Sequence, residues 1–197
     1  MKKVVFFDFD GTLVKFDSFI KFARFSLSLK NFVKGLLYSM PWLIGWKLRI
    51  CSSSEAKQHL FNSWFKSWDL KTFDSKCNEF IPIIEEGING DIIKLLHDHQ
   101  ISGCEIVIVS ASIGNWIRPW ASLYSINDVL ATELEIDKYG KLTGMFSTIN
   151  CLGQEKMNRI LSKYGDIKEY ESWAYSDSDN DLPLLSIVNH AFKVPFS

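Results

Sequence analysis

The chain is predicted to fold as an α/β protein, a doubly wound parallel sheet with a helical lobe inserted after the first strand. Three observations carry this. Val4 to Phe7 is a continuous apolar run, as in a strand buried on both faces. After Gly87, short apolar runs alternate with helical patterns, which is how βα units of a parallel sheet read. Between these two regions the chain reads as helix. Residues 1–14 and 88–197 are therefore assigned to the core, and residues 15–87 to a helical cap.

The elements follow in order. Phe16 to about Ile50 is helical and unusually apolar, most densely from Gly35 to Trp46, where Pro41 and Gly45 interrupt it. That stretch is shorter than the ~20 residues a spanning helix needs. Ser52, followed three residues later by Glu55, forms a capping box. In the helix it opens, Leu60, Phe61, Trp64, Phe65 and Trp68 recur at helical spacing and read as cap packing. Lys71 to Glu86 is a further helix that Pro82 kinks or breaks. Ile92, Ile93, Leu95 and Leu96 mark the next helix, and Gly103 stops it. "EIVIVSAS" is a second buried strand, "WIRPWASLY" a helix and "VLATELEI" a strand. "DKYGKLTGMFSTI" reads as a hairpin through Tyr139, Gly140 and Lys141. "QEKMNRILSKYG" is an amphipathic helix, "ESWAYSDSDND" a strand breaking into acids, and "HAFKV" a last short strand.

Composition narrows the function. The 197 residues are 47% hydrophobic, enough for a sizeable core. The net charge of −1 gives no basis for a nucleic-acid surface. Cys51, Cys77, Cys104 and Cys151 have no C-x-x-C spacing, which argues against zinc and for reduced, mostly buried thiols. The N-terminal apolar run is too short for a signal peptide, so residence on the cytoplasmic side is the default expectation. Charge is uneven, however. Lys15, Lys21, Arg24, Lys30, Lys34, Lys47 and Arg49 face a single acid, Asp17, in the apolar segment up to Ile50. That segment is either a cap with its own core or a cap that rests on anionic lipid at the inner face of the membrane. His97 and His99 read as surface residues, and His59 and His190 have no evident partners.

The chemistry lies where strands end, because ligands of open α/β sheets bind there. The first strand ends in Asp8, Phe9, Asp10, Gly11 and Thr12. The second ends in Ser110, Ala111 and Ser112, and the "SWAY" strand in Ser176 and Asp177, with Asp179 and Asp181 beyond. Lys156 opens the helix after the hairpin. Carboxylates gathered at one point repel one another unless a cation sits among them. Mg²⁺ meets that need with one or two carboxylates, waters and substrate phosphate. A lysine and a hydroxyl suit the remaining phosphate oxygens.

"DFDGT", Ser110, the lysine of "GQEK" and "SDSDND" resemble, in order, the four motifs of haloacid dehalogenase-like phosphatases. The position of the cap resembles the phosphoserine-phosphatase-like branch. "DSF" at Asp17 to Phe19, "VSAS" and "NCLGQEK" look closest to the subgroup with class-C phosphatidylglycerophosphate phosphatase. The resemblance implies that Asp8 attacks phosphorus and that Asp10 serves as general acid, then general base. It implies Mg²⁺ held by Asp8, the Asp10 carbonyl and Asp177, with Asp181 orienting a bound water or Lys156. Ser110 and Lys156 would hold phosphate oxygens. Thr12 would support the loop and, with Ala111 and Asp17, contact substrate. Asp17 either reads substrate or caps a helix, and Asp179 is the acid most suited to solvent. "SAS" stands where phosphoserine phosphatases commonly have "SGG", which counts against phosphoserine.

The expected activity is a Mg²⁺-dependent phosphomonoesterase acting through an aspartyl-phosphate. A lipid phosphate such as phosphatidylglycerophosphate competes with a soluble small phosphate as substrate. A non-enzymatic phospho-acceptor is the alternative from another class, and a membrane-docking protein with a decayed site is a third.

Overall fold

The computed structural model describes residues 2–194. Five parallel strands form the main sheet in the order β3-β2-β1-β6-β7, where β1 is Lys2–Phe7, β2 Glu105–Ile113, β3 Asp128–Thr132, β6 Tyr170–Ser176 and β7 His190–Lys193. The order reverses at β1, which pairs with β2 on one side and β6 on the other. The crevice beyond the carboxyl end of β1 is thus the topological switch point of the sheet. Val4, Val5, Phe6 and Phe7 are all fully buried, because helices cover both faces.

The helices α6 (Gly90–Ile101) and α7 (Gly114–Leu123) follow the inserted region and β2, and α8 (Gln154–Tyr164) and α9 (Leu182–Leu185) flank β6. The segment read as one strand, "VLATELEI", is divided at Glu133. Its first part is β3, and Leu134–Ile136 (β4) leaves the main sheet to pair antiparallel with Leu142–Phe146 (β5). The turn between them is the expected one. This hairpin sits against the cap: Gln58 donates to the Gly144 carbonyl at 2.8 Å and accepts from the Phe146 amide at 3.0 Å.

Five helices lie between β1 and α6: α1 (Ser18–Ser26), α2 (Leu29–Lys47), α3 (Ser53–Phe65), α4 (Leu70–Glu79) and α5 (Ile81–Glu86). The single helix expected from Phe16 to Ile50 is broken at Leu27 and Ser28. Ser28 caps α2 by accepting from the Asn31 amide, so the chain restarts there. Conversely, Pro41 and Gly45 do not interrupt α2. Pro41 frees the carbonyl one turn back, on Leu37, which is exposed and can be solvated. The Ser52–Glu55 capping box of α3 is present on both sides. Pro82 does break its helix, standing in the first turn of α5.

Phe22 of α1 joins the inserted helices to the sheet. It stacks on Trp116 of α7 at 4.7 Å and meets Phe65, Phe73 and Phe80 within 5.7 Å. Cap and core residues therefore share one hydrophobic cluster. The four cysteines are unpaired, three of them buried. His99 is not the surface residue expected, because its Nε2 lies 2.9 Å from the Tyr175 hydroxyl. His59 stacks on Trp42 and His190 on Trp173. Among the described residues, no helix is long and apolar enough to cross a membrane.

α2 rests on α3 through a narrow stripe. Gly35 lies against Trp64, Ser39 Oγ is 2.9 Å from Ser63 Oγ, and Trp64 Nε1 donates to the Phe32 carbonyl at 3.0 Å. A methyl on Gly35 would fall 2.1 Å from Trp64 Cδ1. Gly to Ala in a helix ordinarily gains up to ~1 kcal/mol. Here the buried Trp64 must shift and lose its bond to Phe32, an overpacking cost of about 1–3 kcal/mol. Gly35→Ala is therefore expected to lower the denaturant midpoint, against the helix-propensity trend.

Candidate active site

Alternation along the strand extension sorts the first motif. Phe9 points down into the core, fully buried and edge-on to Trp120 at 5.3 Å. Asp8 and Asp10, on either side of it, line a cavity of about 310 Å³ at the end of β1. Gly11 has φ +74°, and a Cβ there would lie 2.3 Å from an Asp177 carboxylate oxygen. Glycine thus lets Asp177, just past β6, come against the Asp8–Thr12 loop.

Lys156 lies at the centre of the acids and is 1% exposed. Its Nζ stands 2.8 Å from Asp8 Oδ1 and 2.6 Å from Asp181 Oδ2. Asp8 Oδ1 also accepts from the Phe9 amide at 2.7 Å, whereas Oδ2 receives no hydrogen bond from the described residues. Asp181 Oδ2 accepts further from Ser176 at 2.6 Å, while its buried Oδ1 has no partner among the described residues.

Asp10 is held differently. The Ser18 amide donates to its Oδ1 at 2.9 Å, and Ser112 Oγ donates to its Oδ2. Ser18 Oγ donates to Ser112 Oγ at 3.0 Å, and Trp116 Nε1 donates to Ser18 Oγ at 3.0 Å. A chain of donors from α7 through the cap thus ends on Asp10. Both of its carboxylate oxygens are engaged, which leaves its main-chain carbonyl as the group it could offer a metal.

The other expected residues divide. Ser110, 1% exposed, and Ala111 line the cavity. Thr12 does not. It is fully buried behind the loop, where its Oγ1 accepts from the Asp177 amide at 3.1 Å, so it positions Asp177 and cannot touch substrate. Asp17 caps α1 by accepting from the Ile20 amide at 3.0 Å, and it also lines the cavity. Asp179 faces solvent and pairs with Lys193.

Sequence reasoning missed Lys57, Ser18, Ser112 and Trp116. Lys57 Nζ donates to the Ala111 carbonyl at 2.8 Å and stands 4.9 Å from the Phe19 ring centre. A signal for it existed: Lys57 falls at helical spacing with Leu60, Phe61 and Trp64, on the apolar side of α3. Ser18, Ser112 and Trp116 meet only through the fold.

Charge in the cavity is unbalanced. Lys156 is the single ammonium in contact with Asp8 and Asp181, and no lysine or arginine side chain bonds to Asp177 or Asp10. Burial is the main cause that lifts Asp8 to about 8, against the pull of Lys156. Burial also raises Asp177, and raises Asp10, where the charge of Asp17 adds to the effect. Burial lowers Lys57, opposed by the nearby acids. Among the described residues, no three or more His, Cys, Asp or Glu side chains are placed to hold a metal by themselves. Two open carboxylates, a backbone carbonyl and excess negative charge nonetheless fit Mg²⁺, which completes its shell with water and phosphate.

Residues 5–186 match the model of the haloacid dehalogenase-like hydrolases, and the chain belongs to that family. A probable phosphatase of Mycobacterium tuberculosis is 28% identical over 98% of this chain and 69% of its own length. The histidinol-phosphatase of Neisseria meningitidis is 32% identical over 51% of this chain, and the match spans only 47% of that relative. The solved phosphoserine phosphatase of T. onnurineus shares the fold, with a TM-score of 0.64 and 16% identity over 100% of this chain and 88% of its own.

The Asp8 shift predicts a pH dependence. The unfolded carboxyl titrates near 3.8 and the folded one near 8, so the folded state binds the proton more tightly. Metal-free protein should therefore be most stable below pH 3.8 as far as Asp8 is concerned, and lose that stability as pH rises towards about 8. Melting curves across this range should flatten in Asp8→Asn, and Mg²⁺ should stabilise the wild type most at the alkaline end.

Proposed function

We propose that the chain is a Mg²⁺-dependent phosphomonoesterase that works through an aspartyl-phosphate on Asp8. The observation that carries this is the contrast between two neighbouring carboxylates. Asp8 has a cation against one oxygen and its other oxygen open to the cavity. Asp10 is buried, with the charge of Asp17 nearby and no cation bonded to it, which favours its protonated form against the pull of its neutral donors. Such a pair divides into nucleophile and acid.

Asp8, Asp177 and the Asp10 carbonyl would hold Mg²⁺, which when bound screens the anionic nucleophile from the anionic phosphate. Asp8 Oδ2 attacks phosphorus while the bond to the ester oxygen breaks, and Asp10 gives its proton to the departing alcohol. Asp10, now ionised, takes a proton from water. The water oxygen attacks phosphorus, the bond to Asp8 breaks, and inorganic phosphate leaves. Ser110 and Lys156 hold the peripheral phosphate oxygens, and Lys156 also pulls Asp8 towards its ionised form. Asp181 holds Lys156 in place.

The substrate proposed is a lipid phosphate such as phosphatidylglycerophosphate, met at the inner face of the membrane. What supports it is an apolar chamber of about 340 Å³ beside the catalytic cavity, sharing Asp10, Asp17 and Ala111 with it. Phe19, Ile20, Leu43, Trp46 and Leu60 line it, so an apolar leaving group would fit. A soluble amino-alcohol phosphate is the second reading. Asp17 favours it, since an acid lining both cavities suits an amine.

The test is Mg²⁺-dependent phosphate release from phosphatidylglycerophosphate in micelles, phosphatidic acid, phosphoserine, histidinol phosphate and an aryl phosphate. Turnover should vanish with EDTA and fall by about three orders of magnitude or more in Asp8→Asn. Faster turnover of the amino-alcohol phosphates would replace the lipid reading. A stable, stoichiometric phosphoprotein without release would make the chain a phospho-acceptor.

Ser112→Ala removes a hydrogen bond worth about 1–1.5 kcal/mol, so kcat should fall roughly tenfold. The same bond lowers the Asp10 pKa by favouring its charged form. Its loss raises that pKa further, and the alkaline limb of the kcat/KM profile should move to higher pH.

A further inference from the structure

We propose that the outer face of α2 docks on an anionic lipid surface. The helix is apolar on nearly every side, yet what it turns against its neighbours is the stripe of Phe32, Gly35, Leu36, Ser39 and Leu43, with Trp42 stacked on His59. On the opposite side, Leu29, Val33, Leu37, Met40, Ile44 and Leu48 recur at three- and four-residue spacing and form a second stripe. Nothing among the described residues covers it: Leu37 is 59% exposed, Ile44 50% and Leu48 65%. A contiguous exposed apolar face of this length marks an interaction surface.

Charge identifies the partner. Lys30, Lys34, Lys47 and Arg49 are exposed on and just beyond this helix, and no acid occurs between Asp17 and Glu55. A second copy of the chain packed across a two-fold axis would bring lysines against lysines, with no carboxylate on the helix to pair them. An anionic headgroup layer supplies the opposite charge, and its acyl boundary takes the apolar stripe. Trp46 ties this face to the catalytic half of the molecule. It is 47% exposed on α2 and also lines the apolar chamber, so docking would set the mouth of that chamber at the lipid surface. The docking itself does not depend on the catalytic reading.

The test is co-sedimentation with vesicles, one set of phosphatidylcholine alone and one with roughly a third phosphatidylglycerol. Wild-type protein at about 100 mM salt should bind the anionic vesicles at least tenfold more tightly, and less as salt rises. Each basic residue near the surface contributes about fivefold. Lys30→Glu with Lys34→Glu should therefore lose binding by more than about tenfold, and Leu37→Gln with Ile44→Gln by a similar factor. All four positions are exposed, so melting temperatures should stay near that of the wild type. Binding that is absent from both vesicle types, or unchanged in both variants, overturns the proposal. So does a dimer in sedimentation equilibrium that Leu37→Gln with Ile44→Gln dissolves.

Discussion

The contact of Lys156 with Asp8 and Asp181 is the constraint around which the rest is arranged. A buried ammonium and two carboxylates cannot be solvated, and breaking such a group by removing one member costs about 3–5 kcal/mol. The sheet brings them together. Asp8 follows the central strand, Asp181 lies beyond β6, and Lys156 is in the first turn of α8. The group has one acid more than it has ammonium ions, and Asp177 adds another. That excess is what suits the end of β1 to the cation and phosphoryl group proposed for it.

The same aromatic packing that unites cap and core also positions the second carboxylate. The ring of Trp116 stacks on Phe22, while its Nε1 starts the chain of hydrogen bonds through Ser18 and Ser112 to Asp10. Cap packing and acid orientation therefore use one side chain. Lys57 enters from the cap as well, so the inserted helices contribute charge as well as shape.

Much of this was legible in the sequence, for local reasons. Strands buried on both faces read as apolar runs, and their abrupt change to acids and hydroxyls at Asp8, Ser110 and Asp177 marked the edge where they meet. The Ser52 capping box, the Pro82 break and the turn at Gly140 were equally local. What escaped depended on the environment. Pro41 stays inside α2 because the carbonyl it strands is solvated, and Ser28 ends one helix only by capping the next. The strand through Glu133 divides because its second half pairs with β5, which packs on α3, and no local pattern announces that. Ser18 and Ser112 are 94 residues apart and are ordinary hydroxyls until folded. The resemblance implies a substrate contact for Thr12, whereas in the fold Asp177 lies against it.

The bond from the Ser18 amide to Asp10 carries a further consequence. Ser18 begins α1, the first helix of the inserted region, so Asp10 is oriented partly by a residue outside the sheet. Any excursion of α1 that admits or releases a ligand withdraws that amide and the hydroxyl that supports Ser112. Asp10, the proton donor of the proposed mechanism, would then be out of register whenever bulk water can enter. Orientation of Asp10 and exclusion of solvent become a single event, an interlock that would protect the proposed acyl phosphate from premature loss.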